Sequence, residues 1–223
     1  MLPRYENKVK EIQEMITSLL ENIVTSSQKS LEAYGNHNSE AFDDVKSNLK
    51  SIETDANTID NEIIKTFALF GPEANELRSL VAYLKMTNEL VRIGEGVKKY
   101  ARRMKEHCES ECNLRPLDNT IIQLHKSSLN ALQYILDCFL MPESCDIDEI
   151  YRKVMVEESK NDDLFAILEK EILNQVMHGD ELSIEYVRVL GTLRKLERSC
   201  DRSVNIARLM IFAQKGGEIH IYN

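Results

Sequence analysis

Glu197 and Asp201 stand four residues apart, with Asn205 at the next equal step. On a helix these three form a slowly drifting row beside an apolar stripe of Leu193, Leu196, Cys200, Val204 and Ala207, which holds the acids at the core boundary. Carboxylates one turn apart repel by roughly a few tenths of a kcal/mol, so a helix gains nothing from them unless a cation sits between. Carboxylate oxygens at this spacing can bridge or chelate a hard metal. The plainer alternative is a solvated acidic edge neutralised by Arg194, Arg198 or Arg202. A second pair shifts the balance. Glu158 and Asp162 repeat the interval, flanked by Glu157 and Asp163, on the segment expected to pack antiparallel to the first. Four carboxylates brought together need a counter-cation, which makes the two segments a candidate metal platform.

The stretch from Leu196 to Met210 has a degraded copy at Leu90 to Met104. Aligned without gaps, Leu, Arg, Ala, Arg and Met recur, and Glu95 matches Asp201. The chain therefore reads as an internal duplication. In the first copy Leu49 and Glu53 match Glu158 and Asp162, while Val91 and Glu95 match Glu197 and Asp201. Each pair has lost its first member. Glu53 and Glu95 are thus the thinner first-repeat candidates, with Asp60 and Glu89 as substitutes to look for, and the first repeat is expected to bind metal weakly or not at all, the functional metal face belonging to the second.

Few Gly and Pro, no Trp and plentiful Leu, Ile, Glu and Lys suit long helices joined by short turns. Apolar periodicity and turn residues predict helices over about 5–34, 39–69, 72–108, 118–140, 146–177 and 180–214, with Ser39 and Asp118 as N-caps and Gly71 as a C-terminal stop. The second helix is expected to be continuous. Such stripes can be buried only against one another, so the chain is predicted to be all-α: two tandem antiparallel three-helix bundles, over 1–115 and 116–223.

A net charge of −9 argues against an extended nucleic-acid binder and favours metal cations or basic partner surfaces. No secretory segment follows Met1 and no apolar run approaches the roughly 18 to 20 residues that cross a bilayer, so a cytoplasmic protein, peripheral to a membrane at most, is expected. Five cysteines lack zinc-finger spacing, and a reducing compartment is the simpler reading. Cys200, on the stripe, reads as a small buried hydrophobe. The five histidines make no Glu-x-x-His and read as loop or surface residues. Gly94-Glu95-Gly96 sits inside a helical pattern with no preceding strand, so it is no phosphate loop.

Leu196-Glu197-Arg198-Ser199-Cys200-Asp201, followed by Asn205-Ile206-Ala207, resembles the Leu-Glu-Arg-Ile-Gly-Asp signature of the PhoU family of phosphate-uptake regulators. Glu76-Leu77-Arg78, Leu84-Lys85 and Glu89-Leu90 through Arg92-Ile93-Gly94-Glu95 resemble the family's first-repeat pattern, and Lys215-Gly216-Gly217-Glu218-Ile219 its exit from the last helix. The departures are Leu49 and Val91 for acids, Lys99 where the second repeat has Asn205, and Ser199-Cys200 for Ile-Gly. The resemblance implies divalent or trivalent metal, iron or zinc, held by Glu158, Asp162, Glu197 and Asp201. It implies a non-catalytic negative regulator that couples the cytoplasmic components of a phosphate ABC transporter to a membrane histidine kinase, with a homodimer as a further expectation. An accessory protein of a sodium-dependent phosphate transporter is the alternative. A carboxylate-metal enzyme is a third reading, against which the missing Glu-x-x-His and general base count.

Overall fold

Seven α-helices carry the chain: α1 Pro3–Gly35, α2 Phe42–Asn48, α3 Ile52–Phe70, α4 Asn75–Cys108, α5 Asp118–Leu140, α6 Ile147–Met177 and α7 Ser183–Lys215. They come from a computed structural model that describes residues 3–177 and 183–217. The architecture is all-α, two tandem antiparallel three-helix bundles. Helices α1 to α4 form the first, its middle helix in two pieces, and α5 to α7 the second. A short 3-10 turn, Arg115–Leu117, lies between them.

The stops follow the local chemistry. Gly71 closes α3 in the left-handed region at φ 52°, and its N–H donates to the Phe67 carbonyl. Helix α4 starts at Asn75, later than the expected Pro72, because residues 72–74 reverse the chain, with Ala74 at φ 47°. Asp146 caps α6: its Oδ1 accepts from the backbone N–H groups of Asp148 and Glu149. The expected start near Asp180 and the residues Gly179, Glu218 and Ile219 lie outside the described residues.

Three expected details are corrected. The second helix is interrupted between Asn48 and Ile52. Leu49 and Ile52 are both buried, so the apolar spacing continues across a backbone that has left the helix. Its first turn, Ser39–Ala41, is 3-10, and the cap is Asn38, whose side chain accepts from the Ala41 N–H. Asp118 is likewise the first residue of α5 rather than its cap, and its Oδ1 accepts from the Tyr34 hydroxyl at 2.5 Å.

The halves are packed together. Helix α4 lies along α7 more extensively than any other pair, and α1 lies against α5. The buried side chains form one cluster running from Ile12, Ile16 and Ile23 through Met86 and Leu90 to Leu193 and Leu196. Each fully buried Leu or Ile contributes about 1.5 to 3 kcal/mol, so this seam is a substantial part of what holds the chain together.

The cysteine and histidine readings also change. Cys138, in the last turn of α5, and Cys145, just before α6, are joined in a disulfide, because the Met141-Pro142 turn brings their Cα atoms to 5.1 Å. Cysteine usage therefore gives no support to a reducing compartment. His37 is exposed in a turn, as expected, but His107 and His125 are buried. His107 Nδ1 meets Glu185 at 2.5 Å and its Nε2 meets Thr192 Oγ1 at 2.9 Å, tying the end of α4 to α7. His125 sits edge-on to the Tyr100 ring with its Nε2 3.1 Å from Ser27 Oγ. His178 and His220 lie outside the described residues.

Candidate metal centre on the second repeat

Two ion pairs give the register of α6 and α7. Asp148 meets Lys215 at one end, and Glu169 meets Arg194 at 3.7 Å farther along. The acids advance along α6 by as many residues as the cations retreat along α7, so the helices run antiparallel in register. That register sets Asp162 opposite Asp201.

The buried stripe of α6 is Val154, Asn161, Phe165, Leu168 and Ile172, and Glu158 and Asp162 flank it. On α7 the stripe includes Leu196, Cys200 and Val204, flanked by Glu197 and Asp201. When the stripes pack, Glu158, Asp162 and Asp201 each bring a carboxylate oxygen within 4.8 Å of the others. Among the described residues this is the one group of three or more potential ligands so placed. Glu158 is half-buried, and Asp162 and Asp201 are exposed.

Glu197 stands one turn back on α7, half-buried and outside this tight set. Its Oε2 is shielded from solvent and has no hydrogen-bond partner among the described residues. Two of the arginines that could have neutralised the row are engaged elsewhere. Arg202 pairs with Glu89 at 2.7 Å, and Arg194 lies over the Phe165 ring at 4.8 Å from its centroid.

The four carboxylates are accordingly held above the ordinary acid range. Desolvation is the largest cause in each case. Next come like charges: Asp162 and Asp201 for Glu158, Asp163 for Asp162, Asp201 for Glu197, and Asp162 for Asp201. Arginine fields offset part of this, Arg208 at Glu158, Arg194 and Arg198 at Glu197, and Arg202, Arg198 and Arg194 at Asp201.

Asn161 supports this arrangement and was missed in the sequence. It is fully buried, and its Nδ2 donates to the Leu124 carbonyl at 2.9 Å and to Ser127 Oγ at 2.7 Å, fastening α6 to α5 between the two α6 ligand candidates. The signal was a polar residue at a stripe position, between Val154 and Leu168 at heptad spacing.

The first repeat differs. Leu49 is buried at the end of α2, and Glu53 stands exposed in the first turn of α3 beyond the interruption. Glu53 lines a hollow of about 300 Å³ with Asn57, Asp60, Asn88 and Val91. Glu95 does not reach it: it lines a different cleft and accepts from Lys98 at 2.8 Å. The structure thus leaves Glu53 and Glu95 apart. Of the substitutes, Glu89 is taken by Arg202, whereas Asp60 enters the hollow, its carboxyl raised by burial and its Oδ1 without a partner.

The description "PhoU domain" matches the chain twice, over residues 8–104 and 121–210. The chain belongs to the PhoU family. Among similar proteins, the phosphate-specific transport system accessory protein PhoU of Serratia marcescens is 26% identical over 176 residues, covering 79% of this chain and 68% of that protein. The PhoU homolog of Streptococcus pneumoniae is 22% identical over 223 residues, covering 97% of each. Two solved structures share the fold. The S. pneumoniae phosphate transport system regulatory protein PhoU has a TM-score of 0.82 at 18% identity, covering 98% of this chain and 99% of that one. PhoU from Pseudomonas aeruginosa has a TM-score of 0.84 at 21% identity, covering 96% and 100%. The two matched segments coincide with the two bundles. Among the described residues, no helix is long and apolar enough to cross a membrane.

Proposed function

We propose that this PhoU-family chain is a non-catalytic accessory protein of phosphate transport, whose second repeat carries a metal centre on Glu158, Asp162 and Asp201 with Glu197 as a fourth carboxylate. The observation that carries the metal assignment is the convergence of three carboxylate oxygens within 4.8 Å, with no ion pair to any of them among the described residues. Oxygen donors of this kind suit a hard or borderline cation, and the raised acids are those a cation would return to their charged form. The residues present therefore fit a divalent or trivalent ion, with iron or zinc the first to test. When bound, the ion neutralises the cluster and ties α6 to α7. The chain's own part is to present four carboxylates from two rigid helices, with Asn161 holding α6 in place.

The relatives' names support a role beside a phosphate transport system. In this reading the protein works at the cytoplasmic face of the membrane as a negative regulator. It docks on the transporter's cytoplasmic components and on a sensor histidine kinase, and self-association belongs to the same reading. The test is complementation of a strain lacking the protein. The wild-type chain restores phosphate-dependent repression of uptake, and a chain carrying Glu158→Ala, Asp162→Ala and Asp201→Ala does not, at equal abundance. Full repression by the triple variant would separate regulation from the cluster.

A further inference from the structure

A second polar cleft lies where the signature stretches of the two repeats meet. It opens between α4 and α7, with a volume of about 320 Å³, and is lined by Arg92, Lys99, Lys195, Arg198, Arg202 and Glu95, with Ile93, Gly96 and Ser199 among them. Arg92 and Arg198 occupy the same position of the two repeats, so the duplication brings a guanidinium to the cleft from each side. Glu95 is satisfied by Lys98, and Arg202 by Glu89. Arg92, Lys99, Lys195 and Arg198 form no ion pair among the described residues. Four unpaired cations around one cleft are unexpected on a chain of net charge −9. They need an account beyond general solubility.

A rim of solvated cations would explain the charge alone, but Ser199 does not fit that account. It is buried, lines the cleft, and its Oγ has no hydrogen-bond partner among the described residues. Three other buried helical serines satisfy themselves locally, Ser30 donating to the Ser26 carbonyl, Ser127 to that of Leu124 and Ser203 to that of Ser199, whereas Ser199 shares its unpaired hydroxyl with Ser26, which does not line the cleft. A buried hydroxyl left unpaired costs about 1 to 3 kcal/mol, so a polar partner is missing. In this cleft the partner is an acceptor surrounded by cations.

We propose that the cleft is an anion site for a small ligand bearing two or more linked phosphoryl groups, free or carried by a nucleoside. Each phosphoryl oxygen can accept from a guanidinium fork or an ammonium, and the Ser199 hydroxyl supplies a neutral donor at the cleft wall. The volume lies at the lower end of the range of about 300 to 1,000 Å³ usual for small-ligand sites, more than one phosphate needs. This inference does not depend on the metal centre.

The test is calorimetric titration of the full chain in EDTA, at fixed ionic strength, with pyrophosphate, ATP and inorganic phosphate. Pyrophosphate or ATP is expected to bind at least tenfold more tightly than inorganic phosphate, as roughly one further charged contact requires. Equal affinities for pyrophosphate and ATP assign recognition to the phosphoryl chain, and a preference for ATP adds the nucleoside; both support the site. Arg92→Gln with Lys99→Gln should weaken binding by roughly a hundredfold and Ser199→Ala by roughly fivefold. Lys153→Gln, which removes a cation paired with Glu149 on α6, should change nothing. Binding that is indifferent to the cleft substitutions overturns the proposal. So does the absence of binding by either polyphosphate, or binding that needs an added divalent ion and so moves the anion to the carboxylates.

Discussion

Asp162 on α6 and Asp201 on α7 face each other with carboxylate oxygens no more than 4.8 Å apart, and neither makes an ion pair among the described residues. Two like charges so placed oppose the packing of their own helices. Asp201→Asn should therefore act in opposite directions under two conditions. In EDTA it should stabilise the chain by at most about 1 kcal/mol, since both groups are exposed, or about one to three degrees in Tm for a chain of this size. With iron(II) or zinc present it should remove most of the metal-induced rise in Tm. Thermal melts with and without metal read both signs, and a variant that melts lower in EDTA would show that the apo cluster is not repulsive.

His125 supplies a pH dependence of defined sign. Burial holds its imidazole down at about 3, the nearby Ser27 only partly offsetting it, against an ordinary value of 6.5. The unfolded chain takes up this proton below about 6.5 and the folded chain does not until about 3, so stability present at neutral pH is lost as pH falls across that window. The loss is of the order of 1.4 kcal/mol per pH unit once the unfolded group is protonated. Urea unfolding at pH 7 and pH 5 should show a smaller difference for His125→Asn than for the wild type; an equal difference would place the acid sensitivity elsewhere.

Gly94 and Cys200 are repeat equivalents with different packing. A Cβ at Gly94 would fall 1.8 Å from Ile52 Cδ1 and 3.4 Å from Ile23 Cγ1, so α4 admits the first residue of α3 into the space its missing side chain leaves. In the second repeat Cys200 fills its own place and is 1% exposed. Gly94→Ala should cost about 1 to 3 kcal/mol by overpacking, and Ile52→Val in the same chain should recover part of it. Additive losses in that double-mutant cycle would mean the two positions do not contend for one space.

Glu89 and Arg202 join the two repeats across the α4–α7 seam at 2.7 Å, with Glu89 almost fully buried. Removing the glutamate alone leaves the guanidinium without its partner at the seam. Glu89→Ala should cost roughly 2 to 4 kcal/mol, and Arg202→Ala on top of it should add less than it does alone. Chemical denaturation of the four chains measures the coupling, and zero coupling would reduce the pair to a surface contact.

The helices were legible where the sequence punctuates itself. Gly71-Pro72 and Met141-Pro142 interrupt the backbone hydrogen-bond ladder where α3 and α5 stop, at Phe70 and Leu140, and α5 begins two residues after Arg115-Pro116. The interruption at Leu49 to Ser51 was not legible, because Leu49 and Ile52 keep a helical apolar interval while the chain between them turns. The acids of α6 and α7 could be read as a group because their spacing and the hairpin connection together dictate who faces whom. Asn161, buried His125, the Cys138–Cys145 bond and the cationic cleft depend on contacts between helices distant in sequence or on the course of a turn. No local period reports those.

The central claim is that the metal centre belongs to the second repeat, and metal stoichiometry on the intact chain tests it most directly. Three chains are compared after loading with iron(II) or zinc and removal of excess: wild type, Glu158→Ala with Asp162→Ala and Asp201→Ala, and Glu53→Ala with Asp60→Ala. The wild type and the first-repeat variant should retain equal metal, because the first repeat gathers no comparable set of oxygens among the described residues. The second-repeat variant should retain almost none. Equal metal in all three chains, or loss in the first-repeat variant alone, would contradict the assignment.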